Sequence, residues 1–363
     1  MPIKLSGREM DLAIFRGQDP GGVLYQPRFD FWYTVNKKRG KLPEHLKDIS
    51  YMGLHDYCRA SVRYSGGALR HNYLGVEVTR EWLDDKRLRV SHFTPVGNLT
   101  EVYHYDEWNC SAFNTEFRLK TPDDIKVMEW MLQHEEWSWD QAAYEKSQAD
   151  VGDRGAPQFY FRRSPLQGLF IEHMGFEPAV MMLYDDPAVI EHYMAVAAEA
   201  DNAMYNVLTA SPVEIFNFGE NIDAHMDPPT LWRKYLCPYY TRRTEQLHRA
   251  GKKVHIHIDG AMKSLINYIR DCPFDGIEAA TPLPQGDITL EQIKQALGDM
   301  ILLDGIPAVY FLPTFDEETL LDCVKRIVEL FYPRLVLGIS DEIPPDGDIE
   351  RVRKVGELAR TLV

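Results

Sequence analysis

The chain has 363 residues, 45% of them hydrophobic and 26% charged, with a formal net charge of −15 at pH 7. That composition suits a globular protein with a large core and excludes a disordered chain; the acidic balance argues against nucleic-acid backbone or an anionic membrane as partner. Five scattered cysteines, Cys58, Cys110, Cys237, Cys272 and Cys323, form no C-x-x-C pair, so neither a zinc ribbon nor a disulfide framework is expected.

In chain order, Met1-Pro2-Ile3-Lys4 leads into charged sequence rather than an apolar leader, which with the cysteine usage fits a cytoplasmic protein. Residues 22–25 read as a short strand. Runs at 74–78, 88–93 and 99–105 resemble an antiparallel meander and 122–134 a helix, in a stretch rich in Tyr and Trp. Residues 1–150 are therefore expected to form an N-terminal α+β extension covering the mouth of a main unit, 151–363. From about 155 onward short β-type runs alternate with amphipathic helical patterns, the mark of repeated βα units. Strands are expected at 158–161, 213–218, 253–258, 275–280, 300–304 and 334–338. Between them, Asp186-Pro187 opens a helix to about 208, and a helix over 229–250 is kinked at Pro238 and stopped by Gly251. Helices are also expected at 261–271 and 289–297, the latter with a Thr289/Gln292 capping box and Gly298 as its stop. Thr314 and Glu317 predict another box, before an apolar stripe of Leu320, Val324, Ile327 or Val328, and Phe331. A final helix covers 348–361. Seven strands are thus visible, with an eighth placed near Met181 or in the N-terminal region. The fold class is α/β, a (β/α)8 TIM barrel, with a doubly wound sheet as the rival.

Barrel chemistry sits at the C-terminal ends of the strands. The run His255-Ile256-His257-Ile258-Asp259-Gly260 alternates with period two, setting two imidazoles and a carboxylate on one side. Such groups suit a divalent metal or a proton relay near neutral pH. Past the 213–218 strand, Glu220 is the first ionisable group and can approach His257; Asn221, Asp223 and His225 share its loop. Glu278 stands in apolar surroundings, where an unpaired carboxylate is costly, so it must meet a partner, a metal or a substrate. Asp341 or Glu342 is offered to the same rim. No G-x-G-x-x-G, Walker, H-E-x-x-H or G-x-S-x-G motif is present, which removes nucleotide-cofactor, zincin and serine-hydrolase classes.

Over roughly 157–363 the chain resembles the uroporphyrinogen decarboxylase superfamily, and within it the corrinoid-dependent methyltransferase branch. Three segments carry the resemblance. The 254–260 run is similar to that branch's His-x-Cys-Gly zinc motif, Gly298-Asp-Met-Ile-Leu-Leu-Asp-Gly305 matches a strand, and 338–345 is similar to the Gly-x-Gly-Ile-x-Pro closing loop. Asp259 and Asp341 stand where thiol-methylating members have cysteines, and Gln26-Pro27-Arg28 departs from the decarboxylases' Arg-Gln-Ala-Gly-Arg segment. The resemblance implies transfer of a methyl group from a small methoxylated donor, an aromatic methyl ether by preference, to the cobalt of cobalamin on a partner corrinoid protein. The alternative is a uroporphyrinogen-decarboxylase-like lyase using His257 and carboxylates. The resemblance also implies that Glu220, His257 and one of Asp259 (the preferred ligand) or Glu278 hold zinc or directly donate the proton, with His257, Glu278 and Asp341 catalytic and Asn221, His255 and Asp223 contacting substrate. A homo-oligomer is left open.

Overall fold

The computed structural model describes residues 5–108 and 110–363; residues 1–4, read above as non-leader sequence, lie outside the described residues. The chain forms two units: one runs up to Ala68 and adds Gln141–Phe161 and Pro212–Val363, the other comprises Leu69–Asp140 and Arg162–Ser211. No described helix is long and apolar enough to cross a membrane.

The first unit is a curled parallel sheet of seven strands: β1 (Leu24–Tyr25), β2 (Phe159–Tyr160), β3 (Ile215–Ile222), β4 (Lys253–Ile258), β5 (Gly276–Glu278), β6 (Ile301–Pro307) and β7 (Leu335–Ser340). Their order is β1-β7-β6-β5-β4-β3-β2, so from β2 to β7 strands consecutive in sequence are neighbours, β1 pairs with β7, and the two edges are β1 and β2. Residues 61–64 span those edges. The Ser61 N–H donates to Tyr25 O (2.7 Å), the Gln158 N–H donates to Arg63 O (2.9 Å), and Tyr64 bridges Gln158 in parallel register. All seven strands expected from the sequence are present, and the edge-spanning segment comes from the N-terminal region, whereas Met181 lies in the helix Phe176–Asp185. The architecture is TIM-like.

Below the sheet, Ser6 and Glu9 form a capping box on the helix Gly7–Phe15. Its Ile14 and Phe15 pack with Leu24, Ile215, Ile301, Leu303 and Val336 in one buried cluster at the starts of the strands. Asp11 of this helix is fully buried, accepting the Gln26 amide (3.1 Å) and the Ala156 N–H (3.3 Å). Burial pushes its pKa up from 3.8 to about 6 against those hydrogen bonds and the charge of Arg63. Folded Asp11 therefore holds its proton more tightly than the unfolded chain does. Its stabilising share is complete below pH 3.8 and lost as the pH rises through about 6, about 3 kcal/mol in all. Asp11→Asn, uncharged throughout, is expected to flatten the fall in unfolding free energy between those two pH values, and urea titrations at each will show whether the slope persists.

The helices follow the expected punctuation with instructive exceptions. The box at Thr289 and Gln292 forms, with Gly298 at φ +60 ending the helix Leu290–Leu297. At Glu317–Phe331 the N-cap is Asp316, without a side-chain cap bond, so the expected Thr314/Glu317 box does not form; the stripe Leu320, Val324, Ile327, Val328 and Phe331 is buried as expected. Pro238 is accommodated without a break by a π-helical turn, Trp232–Leu236, just before Cys237–Arg249. Only Ile266–Ile269 of the expected 261–271 helix is helical.

The second unit carries an antiparallel sheet, Glu77–Trp82, Arg87–Thr94, Gly97–Asp106 and Ser111–Glu116, plus a pair of strands, Leu69–Tyr73 with Glu135–Trp139. The helices Pro122–Gln133 and Pro187–Ala210 belong to it, and Arg162 pairs with Glu135 and Asp201 in its interior. The run at 74–78 is cut by a turn with Gly75 at φ +70, a conformation that favours glycine. The division differs from a cut at residue 150. Residues up to Ala68 belong with the parallel sheet because 24–25 and 61–64 hydrogen-bond into it, and 162–211 belong with the antiparallel one.

Candidate active site

Side chains from β3, β4 and the segment 61–64 converge on one buried carboxylate, Glu278, at the end of β5. Its Oε1 accepts the Arg63 guanidinium (2.7 Å) and the Tyr64 hydroxyl (2.6 Å); its Oε2 accepts the Asn217 amide and bonds His257 Nδ1 (2.8 Å). All four acceptor sites are used and the side chain is sealed from solvent. Burial alone would raise its pKa, but His257, Arg63 and Arg28 outweigh burial and hold Glu278 well below the usual carboxylate range. Arg63 also takes Asp304 in a two-pronged pair, Nη2–Oδ1 2.8 Å and Nη1–Oδ2 3.1 Å. Burial pushes Asp304 up to about 6 although Arg63 pulls it down. Ala279 (φ +65) and Asp304 (φ +80) adopt left-handed backbone here, a cost of about 1–3 kcal/mol each that the network sustains.

His257 is the link from this buried network to the rim. With Nδ1 on Glu278, its Nε2 faces Asp341 Oδ1 at 3.9 Å and Asp259 Oδ1 at 4.0 Å. Burial would lower the imidazole pKa; the hydrogen bond and charge of Glu278, with the charge of Asp341, raise it above its ordinary value. Asp341 is in an ion pair with Arg28, which also holds Glu342 (2.8 Å). Asp259 is shifted up, chiefly by burial, while Asn221 donates a hydrogen bond to it. The arrangement can present a protonated imidazole nitrogen between two carboxylates at the rim.

Of the residues singled out from the sequence, His257, Asp259, Asn221, Glu278 and Asp341 come together. Glu278 does so as a positioning residue, since its oxygens are fully occupied below His257. His255 lies one layer deeper, fully buried on Gln158 (2.6 Å), and burial drops its pKa to about 3, so it is a neutral support sealed from the rim. Asp223 fastens a loop instead of facing a substrate: it accepts the backbone N–H groups of His225 (2.7 Å) and Ala261 (2.8 Å). Gly260 is required beside it, because a Cβ there would lie 2.2 Å from Asp223 Oδ2 and its φ is +70. His225 is exposed and bonds Asp223.

Glu220 is fully buried in a stretch of β3 where the pairing with β4 shifts register between Phe218 and Ile222 and Asn221 adopts φ +57. Among the described residues, Glu220, His257 and Asp259 included, no group of three or more His, Cys, Asp or Glu side chains is placed to hold a metal ion. The donor set does not fit a resident zinc.

Arg28, Arg63, Tyr64, Asn217, Asp304 and Glu342 complete the network. Asp304 carried the same signal as Glu278, a carboxylate within an apolar strand, and Gln26-Pro27-Arg28 directly follows β1. A cavity of about 410 Å³ lies beside the network, lined by Arg28, Tyr51, Tyr64, Tyr160 and Glu342 among others. The Tyr64 and Tyr160 rings stack there at 4.4 Å. A larger cavity, about 540 Å³, opens by Gly21, Arg59 and Arg360 and contains none of His257, Asp259 or Asp341, so volume alone does not mark the site.

No curated protein sequence matches the chain. Among solved structures it is similar to a methyltransferase from Methanosarcina mazei, with 13% identity, 98% of each chain covered and a TM-score of 0.62. It also aligns with a B12-independent methionine synthase from Shewanella sp. W3-18-1, at 11% identity over 94% of this chain and 96% of that one, with a TM-score of 0.45. The first likeness is one of fold; the second is too distant to carry an argument. The uroporphyrinogen decarboxylase family model matches residues 166–362, more than half of the 363, including His257, Asp259, Glu278, Asp304 and Asp341. The chain belongs to the uroporphyrinogen decarboxylase family.

Proposed function

We propose that this protein is a methyltransferase that takes a methyl group from a small methoxylated compound, an aromatic methyl ether by preference. The acceptor is a cobalt(I) corrinoid on a separate protein, which supplies the nucleophile. One observation carries the reading: His257 is anchored through Nδ1 on a buried carboxylate and turns Nε2 to the rim. An alkoxide or phenoxide leaves badly, so the ether oxygen needs a proton as its bond to the methyl carbon breaks. His257 donates that proton from Nε2, Glu278 keeps the imidazole protonated and oriented, and the Arg28–Asp341 pair shapes the charge around it. Tyr64 and Tyr160 offer aromatic faces on which a planar donor can stack. The likeness over nearly the whole length to the Methanosarcina mazei methyltransferase supports this choice within the family. Screening methoxylated compounds with cob(I)alamin, and following the absorbance of methylcobalamin, tests it; no turnover of any donor, with or without a corrinoid protein, counts against it.

The family match itself favours a second reading, a lyase that decarboxylates a carboxylated substrate by acid–base chemistry at His257 without a corrinoid. Release of carbon dioxide in the absence of any corrinoid distinguishes it.

The acid role has a definite pH signature. A proton donor works in its protonated form, so activity falls as the pH rises through the pKa of His257, which stands above its ordinary 6.5. Glu278→Gln removes the charge that raises it, and the falling limb of kcat/KM is expected to move to lower pH. An unmoved limb would assign that limb to another group.

A further inference from the structure

Away from the site just described, Cys237 opens the helix Cys237–Arg249 and Cys272 lies three residues beyond the helix Ile266–Ile269. Their Sγ atoms are 2.8 Å apart, with the Cys272 thiol donating to Cys237 Sγ and toward Cys237 O at 3.8 Å. The two segments are held side by side by the Trp232 indole N–H, which donates to Tyr268 O at 3.2 Å. A disulfide needs its sulfurs at about 2.05 Å, so less than an ångström of movement would join them. Cys237 is half-buried and reachable, whereas Cys272 is buried behind it.

We propose that Cys237 and Cys272 are a reversible thiol–disulfide pair that takes hydroperoxides as its oxidant. The Cys237 thiolate attacks a peroxide oxygen, the O–O bond breaks, and a protonated hydroxide leaves as water, giving a sulfenic acid on Cys237. Cys272 sulfur then attacks the Cys237 sulfur and loses its proton, and the sulfenic hydroxyl departs as a second water. Two thiols are oxidised by two electrons and one hydrogen peroxide is reduced to two waters. The local electrostatics agree with this order of events. The hydrogen bond from Cys272 brings Cys237 down to about 7, against burial, while the same contact and burial push Cys272 up. A partly exposed thiol near pH 7 is reactive at neutrality; Cys58 and Cys323, pushed up to about 12 by burial, are not. The pair is invisible in the sequence because 35 positions separate the two residues. Once formed, the bond would fasten the helix leading into β4, which carries His257, to the turn leading into β5, which carries Glu278.

The test uses the full-length chain, reduced and then freed of reductant. It is exposed to hydrogen peroxide, blocked with N-ethylmaleimide, digested and mapped by mass spectrometry. The expected product is one linked species joining the Cys237 and Cys272 peptides, lighter by two hydrogens than their sum and restored by dithiothreitol. In Cys272→Ser the link should vanish and Cys237 should instead be trapped by dimedone as its sulfenic acid. Cys237 recovered as free thiol or sulfinic acid in the wild-type chain, when exposed Cys110 is already oxidised, would overturn the proposal. A linkage of Cys237 to Cys110 would do so equally.

Discussion

His257→Ala is expected to reduce methyl transfer to cob(I)alamin by about 10²–10⁴-fold, the range that one positioned acid contributes, while leaving the chain folded. The fold should survive because Glu278 keeps three of its four partners, Arg63, Tyr64 and Asn217. The loss should lie in kcat, since Nε2 acts on the leaving oxygen as its bond breaks rather than on the bound donor. His257→Asn sharpens the test, because its amide can still donate to Glu278 but carries no acidic proton at the Nε2 position. Both variants are expected to be equally inactive with unchanged circular dichroism. Full activity in either would remove His257 from the chemistry.

The second large effect concerns stability. Arg63→Met is expected to cost about 3–5 kcal/mol, the penalty for taking one partner from a buried ionic group, read from the urea midpoint at constant m-value. Arg63 is almost wholly buried between Glu278 and Asp304, both at 0% exposure. Without the guanidinium two carboxylates share one dry space, and at least one must take up a proton. Arg63→Lys should recover only part of the loss, because an ammonium cannot present the two-pronged face that Asp304 accepts. A variant within about 1 kcal/mol of wild type, the usual worth of an exposed pair, would show that the network is not what holds these strands together.

The repeating units were legible because each strand is a short apolar run between well-punctuated helices, and all seven expected strands exist. His257 and Asp259 were legible for a related reason: period-two alternation places polar side chains on the face that isoleucines avoid. Glu220 was expected just past a strand ending at 218, whereas β3 runs on to Ile222 through a register shift that alternation does not foresee. Asp304 lay within an expected strand but was not singled out, since nothing local announces its partner Arg63 or the left-handed backbone it holds inside β6. Arg63 and Tyr64 had no signature at all. They ride on a four-residue segment whose backbone bonds residues 25, 154 and 158, and such pairing is set by closure of the sheet, not by local pattern. Likewise the cut expected at residue 150 followed a change of texture, whereas the chain leaves the parallel sheet at 68 and returns to it at 141.

That four-residue segment also fixes when the molecule can become complete. Leu24 pairs with Val336, so the first strand finds its neighbour only after nearly the whole chain has been synthesised. Residues 61–64 close the remaining gap, between Tyr25 and Gln158. Until that moment β1 and β2 are open edges with unsatisfied N–H and C=O groups, the surfaces through which unfinished sheets stick to one another. The same segment carries Arg63 onto Glu278 and Asp304, so a sheet left open there would lack both its seam and the cation beneath His257. Covering the sheet's edges and completing the buried network thus fall to the same four residues.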